Sequence, residues 1–425
     1  CFAVALLPVL VVATVAAALL FLFSPDVAGV LIRKGERDLA VDLLHVFGLF
    51  LPVAAVTTLV IAGTRGFGTM VPVTVLDRIG QPALRTILLV IAVALGAGGI
   101  VVALSWTLPL VLELGAGLAW LLLLARSVEE RSRRSEPAPV RAVFTEFWSF
   151  TAFRGLAAFL HVMVDWFDVL LVGALASGFA AGVYGAVSRL IFAGAFIQRA
   201  LILALGPQIS TLLARGEKDR ARVVYQTATA WLILVSFPVF LTVAIFAPTV
   251  LRIFGSGFEA GRTALVIISL ATLVNMATGP VTTILVMAGR SSWNLGNAAV
   301  SVTLNVALNV VLVPRYGITG AAIAWAVSIV VQNLLPVVQI WRFLDLHPFG
   351  FASIASAAAA AGCFGLVGLA VRSAWGTSLA ALIVSFVSST LLYFGFAWSF
   401  RGALSLPLLA STLRFWDRAA ARQHA

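Results

Sequence analysis

The stretch VTTLVIAGTRG at 56–66 recurs as VTTILVMAGRS at 281–291, about 225 residues downstream. Each copy ends an apolar run long enough, at about 20 residues, to cross a bilayer as a helix. The likeness reaches back one span further, where LLPVL at 6–10 answers SFPVF at 236–240. A group of four spans is thus read twice, over 2–126 and over 226–342. Duplicated halves are the sequence mark of a transporter whose site lies near the membrane midplane. The spans at 147–176 and 180–206 have no counterpart ahead of the first copy, so a symmetric protein calls for two more helices before Cys1. Cys1 opens directly into an apolar run, and the chain is expected to begin partway through its gene product.

Composition agrees with the spans. Of 425 residues 61% are hydrophobic and 11% charged, against about 25% charged in globular domains. At a mean hydropathy of +1.08 no soluble core could hide so much apolar surface. The fold class read is an all-α polytopic membrane protein, a two-lobed exporter fold of repeated helix bundles. Twelve spans are marked at 2–23, 40–63, 85–105, 108–126, 147–176, 180–206, 226–249, 263–288, 294–313, 318–342, 352–372 and 377–399. The organisation read is a first lobe at 1–126, a linker at 127–146, a second lobe at 147–342, two added helices at 343–400 and a tail at 401–425. Pro8, Pro52, Pro238 and Pro280 fall inside spans, where neighbouring helices can satisfy freed carbonyls. Alternate connections, with the tail and the span-end residues bordering them, hold 18 Lys and Arg against 7 on the other side. The first set is read as cytoplasmic, which puts both chain ends inside. Thr69 to Ile79 is expected to lie along the membrane surface, as is the basic, aromatic segment Thr412–Arg422.

Several chemistries are excluded. Cysteine occurs only at Cys1 and Cys363, and the four histidines are scattered, so no metal motif arises. The two lysines, Lys34 and Lys218, lie outside any GxxxxGK[ST] motif, and no nucleotide loop, cofactor or catalytic residue is read. The net charge of +11 comes from arginines dispersed between spans, which fits positive-inside topology rather than nucleic acid.

Three stretches carry a family resemblance: DVLLVGALASGFAAGVYGAVSRL (168–190), TLLARGEKDRARVVYQ (211–226) and, most specifically, NVALNVVLVPRYGITGAAIAWAVS (305–328). With TRGFGTMVPVTVLDRIGQPALR (64–85), the chain resembles the polysaccharide flippases of the multidrug/oligosaccharidyl-lipid/polysaccharide exporter superfamily. These comprise O-antigen and capsule repeat-unit flippases and their lipid II flippase relatives. The resemblance implies twelve to fourteen helices and cytoplasmic termini, and it sets the first span here against the family's third.

Ionisable groups inside a bilayer are costly and each needs a partner, a wet cavity or a function. Arg154, His161, Asp165 and Asp168 are spaced 7, 4 and 3 apart, which puts all four within about 60° of helix arc. This stripe must face a cavity or another helix. The next span returns with Arg189 and Arg199. A plain ion pair of Asp168 or Asp165 with Arg189 stands beside a functional reading, in which Arg154, Arg189 and Arg199 offer planar donors to a diphosphate. Asn294, Asn297, Ser301, Asn305 and Asn309 form a second polar face, read either as inter-helix glue or as a site. The family resemblance implies a cation site in some relatives, and by position its ligands here are Asp165 or Asp168 with Asn305 and Asn309. The facing Ala321, Ala324 and Trp325 offer no side-chain oxygen, which weighs against sodium. His161 and Asp165 stand as proton-coupling candidates. Tyr184 and Tyr316 read as interfacial anchors, Arg65 and Arg290 as cytoplasmic-mouth charges, and Asp42 and Glu113 as acids near the outer end.

The resemblance implies a flippase for a polyprenyl-diphosphate-linked oligosaccharide, working in a bacterial cytoplasmic membrane. Its partners would be the glycan lipid, membrane lipids, and the glycosyltransferases and polymerase of the same pathway. The rivals are a cation-coupled multidrug exporter of the same superfamily and, further off, a polytopic glycosyltransferase or ligase. The enzyme reading suffers from the short, nearly uncharged outer connections.

Overall fold

The computed structural model describes residues 2–31, 37–129, 166–194 and 211–399, with positions 144–145, 147–148, 155, 162, 198 and 209 between them. Every regular element among the described residues is helical, because hydrocarbon offers no partner to loose backbone groups. Among the described residues eight helices are long and apolar enough to span a membrane, and two shorter apolar ones, Trp166–Leu175 and Gly178–Gly194, accompany them. The chain divides into two compact units, Cys1–Ala158 and Phe159–Ala425. Both carry large apolar side chains on their surfaces, such as Leu7, Leu22, Phe351 and Leu391. Lipid tails are as apolar as leucine, so these are ordinary membrane-facing positions.

The first unit contains α1 (Phe2–Leu22), α2 (Ser24–Leu31), α3 (Arg37–Arg65), α4 (Gln81–Ala94) and α5 (Gly99–Glu129). Here α3 packs between α1 and α5, and α4 lies along α5. The single span read at 85–105 is broken at Leu95–Gly98. Gly96 takes φ +66°. Its N–H bonds the Val93 carbonyl at 3.0 Å, and Ala97 N–H bonds that of Ala92 at 2.9 Å. That bond pair is a Schellman stop, which needs a left-handed residue and so a glycine. Hydropathy averages straight through LGAGG, because it scores transfer and not handedness. The true turn therefore comes about ten residues earlier than expected, and α5 runs for 31 residues. The segment Val73–Gly80 is π-helical and continues into α4 with helical backbone angles at Gly80 and Gln81. It is thus the opening part of that rod rather than a separate element.

The second unit contains α6 (Trp166–Leu175), α7 (Gly178–Gly194), α8 (Lys218–Ile245), α9 (Ala247–Arg252), α10 (Arg262–Ala277), α11 (Val281–Met287), α12 (Ser291–Leu344), α13 (Phe351–Ala360), α14 (Val367–Trp375) and α15 (Leu379–Ser399). The core helix is α8, which packs on α10 and α13 while α12 covers α10. Tyr184, Leu232, Phe240, Leu265, Ile268 and Met276 meet in the interior. The span read at 263–288 is interrupted at Thr278–Pro280, where Gly279 has φ +67° and Tyr225 Oη donates to the freed Thr278 carbonyl at 2.7 Å.

The range of α12 holds two helical limbs that meet at Gly317, whose backbone is not helical (φ 54°, ψ −131°) and reverses the chain. Asn297 and Gln339 exchange amide bonds of 2.7 and 2.9 Å across 42 residues of sequence, and Ser301 Oγ donates to the Ser328 carbonyl at 3.0 Å. Only two antiparallel limbs can make those bonds, in keeping with separate spans at 294–313 and 318–342. Asn297→Ala removes both amide bonds of the half-buried Gln339 and should lower stability by about 1 kcal/mol. A melting curve in detergent reads this, with no change expected in the ion dependence of transport.

Candidate functional site

The α6–α7 hairpin turns at Ala176–Ser177, and Ser177 Oγ caps α7 by accepting the Ala180 N–H at 3.1 Å. Eight residues before Ala176 stands Asp168, and eight after it stands Tyr184. The two therefore meet at one depth, and Tyr184 Oη donates to Asp168 Oδ2 at 3.2 Å. Asn305 and Asn309 come from the first limb of α12, one turn apart. Asn309 Nδ2 donates to Asp168 Oδ1 at 2.8 Å, and Asn305 Nδ2 lies 3.4 Å from Oδ2. Asn309 Nδ2 also reaches the carbonyl and the Oδ1 of Asn305, at 3.0 and 3.2 Å. All four side chains are buried, Asp168 at 2% and Asn309 at 0% exposure.

Three side-chain donors thus converge on one buried carboxylate. The amide of Asn309 must present its nitrogen, since the reverse orientation would set oxygen against oxygen. That leaves Asn309 Oδ1 buried with no hydrogen-bond partner among the described residues. An unmatched acceptor beside a carboxylate attracts a positive or donating guest, such as a proton, a small cation or a water. A cavity of about 10 Å³ adjoins the cluster, lined by Asp168, Tyr184, Ser188, Ile191, Phe192, Ile268 and Trp325, which is room for about one water. Ala321 and Ala324 are buried nearby, and neither has a side-chain oxygen. Among the described residues no cluster of three or more His, Cys, Asp or Glu could hold a metal ion.

The ion pair read between Asp168 and Arg189 is not formed. Amides and a phenol occupy the carboxylate, and the Arg189 guanidinium instead lies over the Trp166 ring, 5.5 Å from its centre. A guanidinium is weakly hydrated and stacks well on aromatic faces, so it can sit there without a carboxylate. Arg154, His161, Asp165 and Arg199 lie outside the described residues, as does any pairing of Arg189 with Asp165. The asparagine face of α12 divides its labour. Asn297 and Ser301 tie the two limbs together, while Asn305 and Asn309 serve Asp168.

Two placements were not anticipated. Tyr184 is a fully buried partner of Asp168 and not an interfacial anchor, whereas Tyr316 stays 59% exposed. Equal distances from the Ala176 turn were the available signal for the Asp168–Tyr184 pair. Glu113 is 6% exposed and lies fourteen residues into α5, about 21 Å from its start. It is therefore midway along the rod and not beside the α4–α5 turn.

A family model described as MatE matches residues 155–311, a range that includes Asp168, Asn305 and Asn309. A protein named probable low-salt glycan biosynthesis flippase Agl15, from Haloferax volcanii, is 26% identical over 213 residues, 47% of this chain and 44% of that protein. The probable flippase AglR of the same organism is 21% identical over 205 residues, 47% and 43% of the respective chains. This chain spans about half the length of the curated relatives it matches. The lipid II flippase MurJ, solved in an inward closed conformation, shares the fold with a TM-score of 0.71, covering 95% of this chain and 84% of that one at 11% identity. Helical architecture and these likenesses together make the chain a multi-pass membrane protein with a MurJ-like fold, similar over part of its length to MatE proteins and to proteins named as glycan flippases.

Proposed function

We propose that this protein moves a polyprenyl-diphosphate-linked oligosaccharide from the cytoplasmic to the outer leaflet by alternating access. The observation that carries this reading is the likeness to a lipid II flippase along 95% of the chain, joined by relatives named as glycan flippases. The physical problem is solvation. A sugar diphosphate cannot enter hydrocarbon, so a transporter must shelter it in water while the polyprenyl tail stays in lipid. Arg154, Arg189 and Arg199 are the diphosphate ligands in this proposal, because guanidinium matches phosphate oxygens in pairs.

Asp168, Asn305 and Asn309 form the coupling-ion site, with His161 and Asp165 as further candidates. Helices 343–400 help form a groove for the tail. No covalent bond changes, and without a nucleotide motif the energy comes from an ion gradient, the membrane potential or product removal. The setting is a bacterial cytoplasmic membrane with both ends of the chain inside, beside the glycosyltransferases and polymerase of the pathway.

Liposomes carrying the protein and a fluorescent undecaprenyl-diphosphate oligosaccharide test this through the fraction reached by an impermeant quencher. Arg199→Ala should slow translocation by roughly 10–100-fold, the worth of one charge-assisted phosphate contact, while inserting normally. A rate equal to the wild type would remove Arg199 from the site. The MatE match also suits a cation-coupled multidrug exporter, and a wild type that moves cationic dyes but not the glycan lipid would favour that reading.

A further inference from the structure

In the first unit, α4 and α5 carry opposite charges that lie within electrostatic reach yet do not join. Glu113 is 6% exposed and makes no hydrogen bond or ion pair among the described residues. Arg85 and Asp77 both act on it electrostatically. The Arg85 side chain is held elsewhere. Its Nε donates to the Trp106 carbonyl at 3.2 Å, and its guanidinium lies 4.2 Å from the centre of the Trp106 ring. From α3, the third neighbour of this face, the nearby polar group is the neutral Thr57 hydroxyl, 3.4 Å from the Leu110 carbonyl. No charge on α3 acts on Glu113, so Arg85 and Asp77 complete its set of charged neighbours among the described residues.

We infer that Glu113 is a proton-binding site of the first unit, with Arg85 as the counter-charge it faces when ionised. A buried carboxyl inside a helix pair is stable when neutral, or when a cation stands near. Both conditions are available here, since Glu113 is buried and Arg85 stands on the adjoining α4 within electrostatic range of it. The guest is a proton and not a metal ion, for two reasons. One carboxylate is far short of the six or more oxygens a hard cation collects, and a guanidinium within reach repels any metal. The early turn at Leu95–Gly98 makes this arrangement, because it sets Glu113 deep along α5, beside α4. The inference stands apart from the identity of the transported solute.

Infrared difference spectra of the full-length protein in nanodiscs, recorded across pH, provide the test without any substrate. The wild type should show the band of a protonated carboxyl that comes and goes with pH, and Glu113→Gln should lack it. Arg85→Gln should change the pH at which the band appears. Labelling the wild type with isotopic glutamate needs no substitution and should move the band. Identical spectra for wild type and Glu113→Gln, a band indifferent to Arg85, or one that glutamate labelling leaves in place would overturn the inference.

Discussion

Asp168→Ala is expected to cost about 3 kcal/mol of stability and to abolish ion-dependent transport. The substitution removes the acceptor for Asn309, Asn305 and Tyr184 at once. Each buried donor left unpaired costs about 1–3 kcal/mol. The mutual contact of Asn305 and Asn309 offsets part of that sum. Asp168→Asn should behave differently. Its amide fills the same space and keeps one acceptor oxygen, and its new NH2 can find Asn309 Oδ1, which has no partner in the wild type. We therefore expect a loss of about 1 kcal/mol for Asp168→Asn, a folded protein, and transport that no longer responds to the ion gradient. Melting curves in detergent and flux in liposomes, with the gradient imposed and then collapsed, separate the two effects. Gradient-driven flux equal to wild type in Asp168→Asn would sink the coupling role.

Gly320→Ala is the second large effect, and its cause is steric. A Cβ at this position would lie 2.3 Å from the Leu312 carbonyl oxygen, 2.5 Å from its carbon and 3.0 Å from Val313 N. These are backbone atoms of the opposite limb of α12, so no side-chain rotation can make room. Overpacking ordinarily costs 1–3 kcal/mol, and with backbone on the far side we expect about 3 kcal/mol or more. Opening the hairpin would also draw Asn305 and Asn309 away from Asp168, so transport should fall along with stability. Gly296→Ala is the matched control. A Cβ there meets nothing within 4 Å, and in the interior of a helix alanine is favoured over glycine by about 0.5–1 kcal/mol. Poor expression of Gly320→Ala beside normal Gly296→Ala is the expected pair of results. Equal melting temperatures for the two would refute the steric argument.

Much of the membrane architecture is legible in one dimension because hydrocarbon imposes one-dimensional rules. Length and apolarity mark spans, and periodicity at 100° per residue marked Asn305 and Asn309 as a common face. The same rule missed the turn at LGAGG, which ends a helix at Gly96 although the sequence is apolar enough to pass as one continuous span. The Thr278–Pro280 break bends the backbone inside Phe258–Met287, which still counts as one span. Because the turn lies at Leu95–Gly98, Glu113 sits midway along α5 and not beside the connection. Tyr184 was misjudged for a related reason. A tyrosine near a span's start suits an interface, and only the fold of the α6–α7 hairpin shows that its hydroxyl is enclosed.

By itself, the amino-acid order determined that this chain is helical and crosses a membrane many times, because solvent partitioning and backbone satisfaction act residue by residue. It also nominated Asp168, Asn305 and Asn309. Which of two acids or arginines a buried side chain meets is a matter of angstroms between segments far apart in sequence. That Asp168 is held by amides and a phenol while Arg189 rests on Trp166, and that Arg85 sits on Trp106 short of Glu113, follows from how helices rotate and turn against one another. No spacing rule along a single strand of text contains that rotation, since it is fixed by packing contributed from both sides of each interface.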